Sequence, residues 1–328
     1  MARVYITIDT EYCSGFAGDL SEAARADTFL RSFAGAGGAD EAGVPYQLRR
    51  LNDTGQKAVF FVDPMPALIW GTAAIEDMVG PILEAGQDVQ LHLHTEWLAL
   101  AGDRTPLPSK RTGVNLFEFP LEDQRRLLAY AREQLMAAGA PAPVAFRAGN
   151  YGANDDTLRA LAELGIGYDT SHCPALPGAS RITLGADSRA PVEHCGVIEV
   201  PVGSIGALGA PGKAHGQRHG QITALTLAEM RAAIRHARDA GSGSLTLVSH
   251  SFELFNRRTL RANRLVRRRF DALCAFLRDT HGVSSGTYRD HPPQVAAGPT
   301  APPLAPSVWR TGVRYAEQAL SNTLYGAM

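Results

Sequence analysis

Residues 58–94 read AVFFVDPMPALIWGTAAIEDMVGPILEAGQDVQLHLH, and this stretch decides the fold. The apolar, β-rich run Ala58–Val62 predicts a buried strand. Residues 73–85 predict a helix that ends at Gly86, and residues 89–94 predict the next strand. A strand, a helix and a second strand in this order are typical of a parallel sheet.

The same alternation continues on both sides of this stretch. Further strands are predicted at 4–8, 144–147, 168–171, 197–202 and 245–249, and helices at 44–54, 120–138, 155–164, 226–239 and 264–281. Residues 13–43 form an irregular insertion with one helix. The pattern predicts an α/β fold with a largely parallel sheet or barrel. We expect one catalytic domain over 1–290, a Pro/Ala-rich linker over 291–306 and a helical segment over 307–328 that docks on the domain or on a partner.

Composition excludes several classes of protein. The 328 residues are 45% hydrophobic and carry a net charge of −1, so nothing points to a nucleic acid or an anionic membrane as partner. No apolar run reaches the ~20 residues of a transmembrane helix, and the N-terminus enters a strand without a signal-like segment. We therefore expect a cytoplasmic location, and a homo-oligomer is compatible with the sequence. The four scattered cysteines contain no Cys-x-x-Cys pair, which excludes a zinc ribbon.

Polar residues follow two of the predicted strands. Asp9 and Glu11 close the first strand and point to the same side, where two carboxylates need a positive partner, either a metal or an arginine. His92 and His94 share one face of another strand, and two imidazoles at this spacing bind one divalent ion. Glu96 continues that face if the strand persists.

Two further strand ends carry chemistry. Arg147 ends one strand before a turn of small residues, and His250 leaves another strand beside serines. In an α/β sheet or barrel the carboxyl ends of the strands are where sites are built. Carboxylates, a histidine pair, an arginine and a last histidine at one end are what metal-assisted hydrolysis needs.

The order of these motifs resembles the polysaccharide deacetylases of the NodB-homology group, carbohydrate esterase family 4. The matching segments are TIDTE (7–11), HLHTE (92–96), FRAGNYGAN (146–154), YDTS (168–171) and LVSHS (247–251), and the resemblance covers roughly residues 3 to 285. It implies a distorted (β/α) barrel and a metal-dependent enzyme that removes acetyl groups from sugars.

The resemblance also implies roles for individual residues. Asp9 would be the general base, oriented by Arg147, and His250 the general acid. Glu11 and His92 would bind the metal; strand geometry favours His94 as the third ligand, whereas motif spacing favours Glu96.

Substrate contacts would come from Asn150, which stands at the family's tyrosine, and from Tyr151, Asp169 and Trp97. Zinc is the default ion for such mixed ligands, with cobalt, nickel, manganese and iron open.

Four functions remain open at this point. The first is removal of an acetyl group from an N-acetylated sugar or glycan precursor. The second is hydrolysis of a non-sugar amide at the same C–N bond. A facial iron site of two histidines and a carboxylate would indicate a redox enzyme, although such sites usually lie on all-β scaffolds. A glycan-binding protein that has lost its metal is the fourth, but such a module needs no acid–base pair.

Overall fold

Strands and helices alternate along the chain. The computed structural model describes residues 1–36, 41–185, 188–208, 216–295 and 301–325. Its strands are β1 Ala2–Thr10, β2 Ala58–Val62, β3 Asp88–Leu93, β4 Ala145–Ala148, β5 Tyr168–Asp169, β6 Val192–His194, β7 Val197–Glu199, β8 Ser204–Ala207, β9 Gly216–His219, β10 Ser244–His250 and β11 Val283–Ser285. Its helices are α1 Glu22–Phe29, α2 Val44–Asp53, α3 Ala67–Trp70, α4 Ala73–Glu84, α5 Leu98–Ala101, α6 Leu121–Ala137, α7 Asp155–Glu163, α8 Leu227–Asp239, α9 Arg264–Asp279 and α10 Val308–Tyr325.

One curled sheet forms the centre of the molecule as a half-barrel. Its order is β10–β1–β2–β3–β4–β5–β7–β6, and β11 pairs with the first residues of β1. All these neighbours are parallel except β6 and β7. Helices cover such a sheet, and its strand β2 is apolar along its whole length, with all five residues buried. The predicted α/β fold with a largely parallel sheet is confirmed.

The chain after β7 runs to the free edge of β10. The amide of Gly203 donates a hydrogen bond to the carbonyl oxygen of Thr246 at 2.9 Å, and the amide of Gly220 donates to Gly203 at 2.7 Å. A Cβ atom at Gly203 would lie 2.5 Å from that Thr246 oxygen. Only glycine therefore allows this approach, which brings the two ends of the sheet together.

The register of the sheet brings the predicted site residues together. Asp9 on β1 lies opposite His250 on β10, and His92 on β3 lies opposite Arg147 on β4. All four residues lie at or near the carboxyl ends of neighbouring parallel strands. The strand order therefore brings segments that are far apart in the sequence together at the carboxyl ends of the strands.

Some local predictions are wrong. The strand at 89–94 ends at Leu93, and Thr95–Trp97 forms a turn of 3-10 helix, so Glu96 does not continue the strand face. The insertion at 13–43, by contrast, holds one α-helix as predicted, α1, which a π-helical turn at Leu30–Ala34 follows, and its residues 37–40 lie outside the described part. The β8–β9 hairpin and the strand β6 have short, mixed sequences, and no periodicity predicts them.

Helix α10 packs on the outside of α8 and α9. A guanidinium nitrogen of Arg314 contacts the Glu229 carboxylate of α8, and Arg269 of α9 donates to Glu317 at 2.7 Å. Before α10, the Pro302 carbonyl accepts a hydrogen bond from His236, whereas residues 296–300 of the proposed linker lie outside the described part. In the described residues, no helix combines the length and apolar character of a membrane span.

Candidate active site

Three side chains converge at the carboxyl ends of β1 and β3. Oε2 of Glu11 lies 2.5 Å from Nε2 of His94 and 3.4 Å from Nε2 of His92. One ligand atom from each residue lies within 4.8 Å of the others. Two imidazoles and one carboxylate at these distances form a set that fits a divalent metal.

The outer nitrogen of each imidazole is already engaged. Nδ1 of His92 is 2.7 Å from the carbonyl oxygen of Arg147, and Nδ1 of His94 is 3.1 Å from Oε2 of Glu96. Both oxygens can only accept, so each Nδ1 donates its proton, and each Nε2 is directed at Glu11. Oε2 of Glu11 has no well-formed hydrogen bond among the described residues, although it is buried. A shared proton or a metal cation between these atoms would satisfy them, and the donor set fits a metal.

This geometry separates the two candidates for the third ligand. His94 belongs to the converging group, whereas Glu96 lies behind it and accepts from its Nδ1. Asn150 in turn donates from Nδ2 to Oε1 of Glu96 at 3.1 Å. The arrangement supports His94 as the ligand and Glu96 and Asn150 as residues that orient its ring.

A glycine makes room for the His94 ring. A Cβ atom on Gly149 would lie 2.7 Å from Nδ1 and 2.8 Å from two ring carbons of His94. The turn after β4 therefore packs its backbone directly on the imidazole. Any side chain at this position would have to displace the ring.

The ionisation of the group follows from its mutual contacts. Burial opposes the charge on Glu11, but the two imidazoles beside it hold the pKa of its carboxyl well below the usual value. Burial likewise opposes the charge on His94, yet Glu11 and Glu96 raise its pKa well above the usual value. The carboxylate at the centre of the group is thus kept ionised and attracts positive charge.

Asp63 adds a second carboxyl group nearby. It follows β2 directly, is fully buried, and accepts from the amide of Met65 at 3.1 Å while its Oδ2 has no partner among the described residues. Burial raises its pKa to about 7, against the opposing influence of His94 and His92. Asp63 was not among the predicted site residues, although its position directly after a buried strand was a usable signal.

Asp9 lies beside the converging group and is held by Arg147. Nη1 of Arg147 donates to Oδ1 of Asp9 at 2.6 Å, and both side chains are buried. Burial raises the pKa of Asp9, but Arg147, His92 and His250 together lower it below its usual value. Asp9 is therefore a carboxylate at neutral pH, as a general base must be.

His250 lies on the other side of Asp9. Its Nε2 is 3.9 Å from Oδ2 of Asp9, and its Nδ1 is 2.9 Å from Oε1 of Glu253. Ser249 and Gln221 also donate to the Glu253 carboxylate. Burial lowers the pKa of His250, but the hydrogen bond and charge of Glu253 outweigh it, and the pKa rises to about 9. Glu253 was missed in the sequence because only the turn after β10 shows that it faces His250.

Tyr151 occupies an unusual backbone conformation beside the site. Asn150 and Tyr151 both have positive φ, at 57° and 59°, and the Tyr151 hydroxyl is 2.8 Å from Nε2 of His219 on β9. Burial lowers the pKa of His219 to about 4, so this imidazole is neutral. The β8–β9 hairpin therefore supplies a histidine that no sequence motif indicated.

Two predicted substrate contacts do not fit the structure. Trp97 is 1% exposed and packs edge-on against Trp70, with ring centres 5.4 Å apart. Asp169 is fully buried and accepts from the amide and hydroxyl of Ser171, whose oxygen also accepts from the amide of Ala148. Neither side chain has surface that a substrate could reach. Trp97 belongs to the core, and Asp169 braces the end of β4.

Comparisons with known proteins give the fold a precedent. No protein-family model and no curated protein matches the chain. A solved structure of a polysaccharide deacetylase from Mycobacterium smegmatis superposes with a TM-score of 0.51 at 18% identity, covering 97% of this chain and 91% of that one. Another from Pseudomonas aeruginosa PAO1 gives 0.50 at 13% identity over 89% and 93%.

An enzyme of a different activity is also similar in fold. A 4-alpha-glucanotransferase from Thermococcus litoralis gives a TM-score of 0.50 at 12% identity, covering 89% of this chain and 40% of that one. The chain thus has the distorted (β/α) barrel that polysaccharide deacetylases have, as its motifs predicted. At these identities the likeness concerns the fold, and function has to be argued from the site.

Proposed function

We propose that this chain, which has the fold of the polysaccharide deacetylases, is a metal-dependent hydrolase that removes the acetyl group from an N-acetylated sugar or glycan precursor. One observation carries the proposal. The Glu11 carboxylate and the Nε2 atoms of His92 and His94 converge. Beside them lie the buried Asp9 carboxylate and His250, whose pKa is raised, so that one group suits a base and the other an acid. Metal-assisted hydrolysis requires this combination.

Glu11, His92 and His94 would hold the cation, with zinc as the ion that suits two imidazoles and a carboxylate. When bound, such a cation supplies Lewis acidity toward an amide carbonyl and toward water. Glu96 and the Arg147 carbonyl fix the two imidazole rings through their Nδ1 atoms. These contacts keep both Nε2 atoms available.

Asp9 accepts the proton of the attacking water. Arg147 keeps this carboxylate ionised and oriented, and one Asp9 oxygen remains directed toward His250. His250 then donates a proton to the nitrogen that leaves as an amine. Its raised pKa keeps it protonated at neutral pH for this step, since Glu253 stabilises the imidazolium. A base and an acid of opposite charge thus lie next to each other at the proposed site, 3.9 Å apart.

The acid–base pair also argues against a protein that only binds glycans. Asp9, Arg147 and Glu253 are all buried and charged. Burying charges costs free energy, so their presence in the protein interior indicates a function beyond stability. A binding surface gains nothing from a base held against an arginine. Hydrolysis of a non-sugar amide would use the same base, acid and metal ligands, so the substrate panel must include such an amide.

The direct test is acetate release. The purified protein is incubated with N-acetylglucosamine, N-acetylglucosamine 1-phosphate, N-acetylmuramic acid, chitooligosaccharides and an N-acetyl amino acid, with and without prior treatment with a chelator. We expect acetate from a sugar, loss of activity after chelation, and recovery on adding Zn²⁺. Acetate from the N-acetyl amino acid alone would indicate that the substrate is a non-sugar amide. Absence of acetate from the metal-loaded protein for every compound would overturn the proposal.

A further inference from the structure

A cavity of about 830 Å³ opens beside His250. Phe16 and Phe252 form its apolar part, and Arg257 and Arg258 line it as well. The Phe252 ring is 5.2 Å from the His250 ring between centres, so the cavity is continuous with the proposed acid. Its volume suits a ligand of the size of one sugar with a substituent.

The insertion at 13–43 builds one wall of this cavity. Nη1 of Arg31 donates to the carbonyl oxygens of Arg257 and Arg258, at 3.0 and 3.1 Å. In return, Nε of Arg257 donates to the Arg31 carbonyl at 3.3 Å, and Nη2 donates to Ser32. The insertion therefore fixes the loop after β10, and with it the wall of the cavity.

Arg257 is held in one place by aromatic rings. Its guanidinium carbon lies 4.0 Å from the centre of the Phe252 ring and 4.9 Å from that of Phe16. Stacking of this kind orders the side chain and leaves its charge in place. Arg258 is exposed at the rim. The cavity thus offers one cation stacked on aromatic rings and one exposed cation at its rim.

The charge of the cavity is not balanced by its own acids. Among the lining residues that the structure describes, Glu253 is the one carboxylate, and it is bound to His250, Gln221 and Thr223. Two arginines therefore face a lining whose single acid is already neutralised. An anionic ligand group would complete the charge.

We propose that this cavity binds the amine part of the substrate and that this part carries an anionic group. The inference rests on the proposed function, because His250 protonates the leaving nitrogen and so adjoins the amine part. The apolar wall of Phe16 and Phe252 adjoins the sugar ring, and Arg257, which is stacked on these rings, and Arg258 bind its phosphate or carboxylate. The substrate class is an N-acetylated amino sugar with a negative charge.

Three matched compounds test this assignment. They are neutral N-acetylglucosamine, N-acetylglucosamine 1-phosphate and N-acetylmuramic acid, which carry no anion, a phosphate and a carboxylate. We expect kcat/KM for acetate release to be at least about tenfold higher for one anionic compound than for the neutral sugar, with the gain falling as salt rises. Which anion gains identifies its chemical source.

Variant proteins make the test specific. R258A should reduce the ratio of kcat/KM between the anionic and the neutral compound at least about fivefold, mainly through KM. R268A removes an exposed arginine of α9 outside the cavity and should leave the ratio unchanged. Equal kcat/KM for all three compounds, or equal effects of R258A and R268A, would overturn the inference while acetate release still supported the proposed function.

A binding experiment tests the anion site independently of acetate release. Calorimetry of N-acetylglucosamine 1-phosphate and N-acetylmuramic acid is done with the metal-loaded D9N protein, with and without R258A. Binding of either compound that R258A weakens at least about fivefold, without acetate release by the wild type, would support the anion site and refute the hydrolase. Binding of neither compound would refute the anion site.

Discussion

Nδ1 of His92 donates a hydrogen bond of 2.7 Å to the main-chain carbonyl oxygen of Arg147. The guanidinium of the same arginine binds Asp9 at 2.6 Å. One residue at the end of β4 therefore fixes both a proposed metal ligand and the proposed base. This double contact follows from the register, which places His92 directly opposite Arg147. It keeps the proposed cation site and the proposed base at a fixed spacing.

The substitution Asp9→Asn tests the role of the base. We expect the rate of acetate release to fall by about 10²–10⁴, because the amide cannot accept a proton from water. Metal content should stay at the wild-type level, because Asp9 is not in the converging group. A thermal melt controls for folding, since the change leaves Arg147 buried beside a neutral group. A near-normal rate in folded protein would refute the assignment.

The pH dependence of the rate tests His250 and Glu253. His250 must be protonated to act as an acid, and its pKa is raised to about 9, so the rate should fall as pH rises through 9. Glu253→Gln removes the carboxylate that raises this pKa, so the alkaline limb should move to lower pH.

The matched control for this profile is Glu193→Gln, which removes one exposed negative charge on β6. It should leave the alkaline limb in place. His250→Ala should lower the rate by about 10²–10⁴. If Glu253→Gln and Glu193→Gln gave the same profile, Glu253 would not set the pKa of the acid.

Gly149→Ala tests the packing of the His94 ring without touching a ligand. The new methyl group would lie 2.7 Å from Nδ1 of His94, so the ring must move. We expect metal affinity to fall by about 10–100-fold, the range found when the support of a ligand is lost. Gly167→Ala is the control, because a Cβ there meets no atom within 4 Å. Equal metal affinities in the two variants would show that the ring tolerates the contact.

Arg314→Ala tests how α10 is attached. Removing this buried side chain leaves the Glu229 carboxylate buried without its cation, which should lower the free energy of unfolding by about 3–5 kcal/mol. Arg278→Ala breaks an ion pair whose side chains are both more than half exposed and should leave the free energy of unfolding nearly unchanged. Urea denaturation measures both. A loss for Arg314→Ala no larger than that for Arg278→Ala would mean that α10 contributes little to stability.

Much of the fold could be predicted from the sequence because apolar runs and helical periodicity are local. The run at Ala58–Val62 and the helix that begins at Ala73 lie where the pattern places them. The polar strand ends, such as Asp9 and His92, were visible for the same reason. The β8–β9 hairpin was not, because its four-residue strands are too short for a periodic signal.

The site was harder to predict where a turn decides the direction of a side chain. Spacing alone left His94 and Glu96 as alternatives. The strand ends at Leu93, and the 3-10 turn that follows places Glu96 against Nδ1 of His94 instead of beside Glu11. The contact between Glu253 and His250 likewise depends on the turn after β10. Trp97 was assigned to the substrate because burial cannot be inferred from a motif.

The central claim is that Glu11, His92 and His94 hold a divalent metal, and metal content tests it most directly. Wild type, His94→Ala and Glu96→Ala are purified without chelator, reconstituted with Zn²⁺ in parallel and analysed by mass spectrometry for metal per chain. We expect a single metal in the wild type, loss in His94→Ala, and retention in Glu96→Ala with about 10–100-fold weaker affinity. Loss in Glu96→Ala with retention in His94→Ala, or no metal in the reconstituted wild type, would contradict it.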